Sequence, residues 1–284
     1  MTTLATAPGV PEEPDAWEAP RAPGTPVVTF AHTLRAEWIK LRSLRSTWYT
    51  LACLLTVGLG ITALSMSSAG QDYTGGTAAE RAAWDPAGLS LTTYIVAQLV
   101  IAVLGILVVT SEYATGLMRT SLTATPRRHR LLAAKVVVAT AVAMVAGQVL
   151  MFSSFFLGQL LLSGQHVPGA ALGDPGVLSA VTGGGLYLAA IALLAVGLGT
   201  LMRATAGALA TLVGIVFLVP AVSGLFPSWL QGLFDYWPTK GAAAVFTTVT
   251  DPAYPHPWLN LGGMCLGIAA VLAAAFLVFR RRDV

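Results

Sequence analysis

The chain has 284 residues, of which 55% are hydrophobic and only 10% are charged, and its mean hydropathy is +0.72. A soluble globular domain carries roughly 25% charged residues, so this composition excludes an ordinary soluble enzyme and points to a membrane protein. The formal net charge of +3 is small and its basic residues gather at helix ends, which argues for membrane topology and against a nucleic-acid partner.

The first 29 residues hold Pro8, Pro11, Pro14, Pro20, Pro23 and Pro26 among Glu12, Glu13, Asp15 and Glu18. No basic stretch leads into an apolar run, so this is not a secretory signal. Residues 1–29 are expected to form a disordered cytoplasmic tail, with partner docking as an alternative use, and residues 30–284 a transmembrane domain.

Phe30–Ser46 follows. At 100° per residue Phe30, Leu34, Trp38, Leu41 and Leu44 share one arc, while Arg35, Lys40 and Arg42 lie off it. This pattern predicts an amphipathic helix lying on the inner leaflet of the bilayer. Glu37 and Arg45 intrude on the apolar arc, and a basic stop ahead of a spanning helix is the plainer alternative.

Six charge-free windows are long enough for the roughly 20 apolar residues that a span requires. They place helices near Thr47–Ser67, Ser90–Thr110, Val136–Leu160, Val177–Leu201, Ala206–Leu225 and Leu259–Phe279. The expected fold is therefore all-α, a polytopic membrane protein with six transmembrane helices. Arg35, Lys40, Arg42 and Arg45 precede the first span, and Arg119, Arg127, Arg128, Arg130 and Lys135 separate the second from the third. Arg203 separates the fourth from the fifth, and Arg280, Arg281 and Arg282 follow the last, whereas Arg81 and Lys240 fall on the other side. The positive-inside bias puts both termini in the cytoplasm. Trp38, Trp48 and Tyr49 mark one interface, and Trp229, Tyr236, Trp237, Tyr254 and Trp258 mark the other.

Between the second and third spans the chain reads S-E-Y-A-T-G-L-M-R-T-S-L-T-A-T-P-R-R-H-R-L-L-A-A-K over Ser111–Lys135. Glu112 marks the exit of the second span, Gly116 permits a bend, and Leu117, Met118 and Leu122 supply a short apolar face. Pro126 ends the piece, because the residue before a proline avoids the α region. A short exposed helix offering a contact to a cytoplasmic partner is predicted; an ordinary basic loop is the alternative.

Phe226–Trp258 is too long for a tight hairpin, and five prolines interrupt it (227, 238, 252, 255 and 257). Two short re-entrant helices, roughly Pro227–Phe234 and Thr239–Val249, are expected ahead of the sixth span, with a loop lying on the bilayer surface as the alternative. Inside the spans, Gln98 and Gln148 are candidates for lining a pathway or for interhelical hydrogen bonding. No Asp, Glu, Lys or Arg lies deep in a span, which argues against ion coupling. Gly183, Gly184 and Gly185, and the Gly263/Gly267 pair, read as close-packing signals. Cys53 and Cys265 read as small hydrophobes with no pairing implied.

A-E-W-I-K-L-R-S-L-R-S-T-W at Ala36–Trp48, with E-Y-A-T-G-L-M-R-T-S-L at Glu112–Leu122, resembles the permease subunit of a type-2 ATP-binding cassette transporter. Pro126–Arg128 and the later Lys135 add to the resemblance, which runs from Phe30 onward. It implies a pathway formed with a second permease copy, identical or not, and a separate ATP-binding cassette ATPase docking from the cytoplasm. The coupling helix would be carried by Glu112, Tyr113, Gly116, Leu117, Arg119, Thr120 and Leu122. The interfacial connecting helix would be carried by Glu37, Trp38, Lys40 and Arg42. The segment before the last span would cap the outer mouth.

No G-x-x-x-x-G-K-[ST] occurs, so nothing in this chain cradles a nucleotide, and ATP and Mg belong on the partner. No cofactor or metal is expected on this chain, and no catalytic set is found: HExxH and GxSxG are missing, and His32, His129, His166 and His256 all lie outside the spans. An intramembrane enzyme is therefore disfavoured, and a non-transporting immunity or sensor module on the same scaffold is the competing reading. The spans are mostly aliphatic, which suggests a hydrophobic or amphipathic substrate, and the resemblance favours export. Arginine far outnumbers lysine among many alanines and glycines, as in a high-GC bacterium, which would place the protein in a bacterial plasma membrane.

Overall fold

The computed structural model describes residues 29–124 and 128–281; all of the expected tail but its last residue, Thr125–Arg127 and the last three residues lie outside the described part. The described residues form helices joined by turns, with no strand among them. In order they are α1 Phe30–Ser43, α2 Arg45–Ser67, α3 Ala69–Gly75, α4 Ala78–Ala82, α5 Pro86–Leu91, α6 Tyr94–Thr115 and α7 Leu117–Ala124. Then come α8 Arg128–Ser163, α9 Val177–Met202, α10 Thr205–Val213, α11 Val219–Ala221, α12 Ser228–Gln231 and α13 Pro257–Arg281.

Among the described residues, five helical stretches are long and apolar enough to cross a bilayer: Arg45–Gly75, Pro86–Thr115, Arg128–Ser163, Val177–Met202 and Pro257–Arg281. The expected fifth span, Ala206–Leu225, is a shorter apolar helix over Thr205–Ala221, so the six-span count meets five long helices and one short one. The reason is local. Val219 N–H closes a π turn, Gly214–Leu218, by donating to the Gly214 carbonyl, and so leaves the Ile215 carbonyl without its usual donor. Pro220 has no N–H to give Val216. The two carbonyls accept instead from Trp237 Nε1 at 2.7 Å and Thr239 Oγ1 at 2.6 Å, both on the later loop. A helix interrupted in this way is tolerated at membrane depth when other protein groups satisfy the freed carbonyls.

α9 is the centre of the bundle, packed by α6, α8 and α13, and its residues are buried almost throughout. Glycine makes this possible where helices approach most closely: a Cβ at Gly184 would collide with Phe246 and Met151, and one at Gly105 with the Ala192 carbonyl. Met66, Ala69 and Leu162, with Trp84 packed against them, close one end of the molecule. Val109, Met118, Leu131, Leu132, Val196 and Phe279 close the basic end.

The connection between α2 and α5 is more structured than a loop. Thr77 and Glu80 form a reciprocal capping box at α4, and the Thr77 amide, then its hydroxyl, hold the Glu80 carboxyl below its ordinary pKa. Asp85 caps α5 through Gly88 N–H at 2.8 Å and also accepts from Thr248 N–H and Thr248 Oγ1 at 2.7 and 2.6 Å, tying this end to the chain ahead of α13. Helical turns occupy both positions where short helices were expected, over residues 228–236 and, shorter than expected, over residues 241–246. α12 leads into a 3-10 turn over Gly232–Tyr236, and a second 3-10 helix, Gly241–Phe246, is buried over its whole length.

Candidate functional site

α1 is capped at its start by the Thr29 hydroxyl, which accepts from His32 N–H at 3.4 Å. It stops at Leu44, whose backbone is extended, and α2 begins at the next residue. Trp48 Nε1 donates to the Arg42 carbonyl at 2.9 Å, satisfying one of the acceptors left free at the end of α1 and fixing the elbow. Thr33, Glu37 and Leu41, spaced by four, form the buried face of α1. Phe30, Trp38, Ile39 and Leu44 are exposed large apolar residues. Glu37, which breaks the apolar arc of the sequence, therefore points toward protein.

It meets a lysine. Lys135, in α8, donates to Glu37 Oε2 at 2.8 Å and also to Glu112 Oε1, and Lys40 donates to the same Glu112 oxygen. The side chains of Lys135 and Glu112 are 1% and 2% exposed and that of Glu37 10%, while Lys40, 33% exposed, lies at the rim. Two carboxylates and two ammonium groups thus share one site with no formal net charge. A charge buried here without a partner would carry a heavy desolvation cost, and each of these groups instead faces one of opposite sign. The knot fastens three elements together: α1, the end of α6 and the start of α8.

α7 hangs from this knot. α6 ends at Gly116, which has φ 72° and so adopts the left-handed conformation that glycine takes without strain. The chain turns there and α7 starts at once. Met118 tucks under the bundle against Leu131, Leu132 and Phe279, while Leu117 is exposed. Thr120 is exposed and its hydroxyl donates to the Leu117 carbonyl at 2.8 Å. Tyr113, half-buried, packs beneath the Arg203 guanidinium at 5.2 Å, linking the α9–α10 turn to the same end of α6. The side chains of Arg119 and Leu122 lie outside the described residues. Trp38 and Arg42 are exposed on α1.

The two glutamines occupy different surroundings. Gln98 is fully buried, and its Oε1 accepts from the Tyr187 hydroxyl at 2.8 Å; that hydroxyl in turn accepts from Thr239 N–H at 3.3 Å. Gln148 Nε2 donates to the Thr182 carbonyl at 2.9 Å and lies against Gly185. Lys135, Tyr187 and Thr239 were not among the residues expected to carry function. Lys135 had a visible signal, a lysine inside L-L-A-A-K-V-V-V; the other two had none.

The model of a family described as ABC-2 family transporter protein matches residues 33–237, well over half of the chain. The chain belongs to this ABC-2 transporter family. No curated protein matches it. As an ABC-2 family member with several apolar membrane-length helices, it is a multi-pass membrane protein and a transporter permease. The match takes in all but the first three residues of α1, the charged knot and α7, and ends at Trp237, just after the 3-10 turn Gly232–Tyr236.

Proposed function

We propose that this permease moves a hydrophobic or amphipathic compound outward across a bacterial plasma membrane, driven by a separate ATP-binding cassette ATPase. The ATPase carries the ATP and Mg, and two permease copies, identical or not, enclose the pathway. In this reading six helices cross the membrane, the short Thr205–Ala221 helix included, and both termini face the cytoplasm. The concentration of Lys and Arg at the end that holds α1, α7 and the start of α8 supports that orientation.

The observation that carries the reading is the placement of α7. It is a short helix, set at the basic end by a left-handed glycine, whose N-terminal neighbour Glu112 is locked to α1 and α8. A push on α7 from the ATPase would pass through Gly116 to Glu112, and from there to three helices at once. The knot gives the push a rigid lever in place of a loop that would absorb it.

The test is transport by the permease and its partner ATPase in proteoliposomes. Glu112→Ala, or a proline introduced between Leu117 and Leu122, should leave membrane insertion intact and abolish substrate-stimulated ATP hydrolysis and transport together. Unchanged activity in both variants, or labelling of residues 112–130 from the outside of intact cells, would remove the assignment.

A further inference from the structure

The charged knot has an open side. A cleft of about 160 Å³ lies between α1, α2, α6 and α8, with Leu44, Leu104, Leu107 and Val108 on its walls and Glu112, Lys40 and Thr47 among its polar groups. Two polar groups in it lack partners among the described residues. Glu112 Oε2 is buried and accepts no hydrogen bond, although Oε1 of the same carboxylate takes two lysines. The Thr47 side chain, on a residue 9% exposed, also has no hydrogen-bond partner there. A buried carboxylate oxygen left unpaired costs free energy that a donor would recover.

We infer that the cleft holds the headgroup end of an inner-leaflet phospholipid bearing a primary ammonium, such as phosphatidylethanolamine. This rests on the reading of α1 as a helix on the cytoplasmic surface of the bilayer. The ammonium donates to Glu112 Oε2. The phosphate faces Lys40, whose ammonium has further N–H donors beyond the one given to Glu112, and the Thr47 hydroxyl. The knot has no net charge, which suits a zwitterionic head better than an anionic one. The walls are apolar and the cleft is too small for a whole lipid. It takes the head and the first methylenes, and the acyl chains run on into the bilayer along the exposed apolar face of α1 and α2. Trp38 and Trp48, next in sequence to the cleft residues Glu37 and Thr47, are exposed, as interfacial tryptophans are. The bound lipid is then a wedge at the α1–α2 elbow, placed where the coupling end meets the membrane.

The experiment is native mass spectrometry of the purified full-length chain titrated with phosphatidylethanolamine, phosphatidylcholine and phosphatidylglycerol. The ethanolamine lipid should be retained about tenfold more tightly than the choline lipid, whose quaternary head has no N–H; one charge-assisted hydrogen bond accounts for that ratio. Leu107→Trp, which fills the cleft and leaves the charges alone, should abolish the preference, as should Glu112→Gln. Soluble phosphoethanolamine in excess should not displace the lipid. Equal retention of the three lipids, or an unaltered preference in Leu107→Trp, would overturn the proposal, and displacement by phosphoethanolamine would overturn its assignment to a lipid. A spin label at Ile39→Cys, in a chain with Cys53 and Cys265 replaced by serine, separates the two layers of the argument. A label at headgroup depth without lipid preference sinks the lipid site and keeps the placement of α1. A label in water sinks both.

Discussion

Lys135 Nζ lies 2.8 Å from Glu37 Oε2, although 98 residues separate them in sequence, and the lysine side chain is almost wholly buried. The pair joins the surface helix α1 to the membrane-length helix α8, and Glu112 joins α6 to both through the same ammonium. A buried ion pair adds little net stability over a well-packed apolar replacement, but removing one member strands the other. Lys135→Met should therefore cost about 3–5 kcal/mol, because it leaves Glu37 and Glu112 facing each other with Lys40 alone. The triple variant Glu37→Gln, Glu112→Gln, Lys135→Met should recover most of that stability in denaturant unfolding in detergent and yet remain uncoupled in ATPase assays. Restored coupling in the triple variant would show that rigidity alone, and not ionic attachment, transmits the push.

Gly116 supplies a cleaner test of the elbow. Among the described residues a Cβ there meets nothing within 4 Å, so the penalty for a substitution comes from its φ of 72°. Gly116→Ala should cost about 1 kcal/mol of local strain, whereas Gly116→Asn, which tolerates the left-handed region, should cost less. Coupled ATP hydrolysis should fall in the order glycine, asparagine, alanine while thermal stability moves little. Equal coupling in all three would mean that the direction in which α7 leaves α6 is unimportant.

The turn at the basic end was largely legible in the sequence, and the interior was not. Glu37 showed up as a flaw in an apolar arc, Glu112 as the charge closing an apolar window, and Gly116 as a bend; each is a local signal. Burial of Glu37 against α8 is not local, and neither is the partnership of Gln98 with Tyr187 across 89 positions. The charge-free window at Ala204–Phe234 has room for a full span, and counting apolar residues does not register the hydrogen bond that Pro220 withholds. The π turn exists because Trp237 and Thr239 stand ready to take the freed carbonyls, and that match can be seen only when the chain is folded.

That match yields a third prediction. Tyr187 is fully buried, donates to Gln98 and accepts from the Thr239 amide, and Thr239 itself has φ 61°, an uncommon conformation for a β-branched residue. Tyr187→Phe keeps the ring packing against Phe246 and Tyr94 but deprives Gln98 Oε1 of its donor and Thr239 N–H of its acceptor. Loss of about 1–3 kcal/mol is expected, concentrated in the 238–246 segment. Hydrogen exchange at the Thr239 and Lys240 amides should accelerate well before exchange in α9. Uniform acceleration throughout the bundle would indicate that the tyrosine supports the whole core and does not specifically latch this segment.

The Gly263/Gly267 pair of α13 can be divided in the same way. A Cβ at Gly263 would collide with the Tyr236 ring, whereas one at Gly267 meets nothing within 4 Å among the described residues. Gly263 is thus spent on packing the 3-10 turn that follows α12. Gly263→Ala should displace Tyr236, open the apolar cavity lined by Trp237, Pro238 and Ile268, and destabilise the protein by about 1–3 kcal/mol, the usual cost of overpacking. Gly267→Ala should leave the stability of the single chain unchanged, because no neighbour in this chain has to move. Its informative readout is association: if a second copy packs against Gly267, the alanine weakens crosslinking between copies while monomer unfolding stays the same. Crosslinking that is indifferent to Gly267→Ala but sensitive to larger residues on other faces of the bundle would place the contact between copies away from α13.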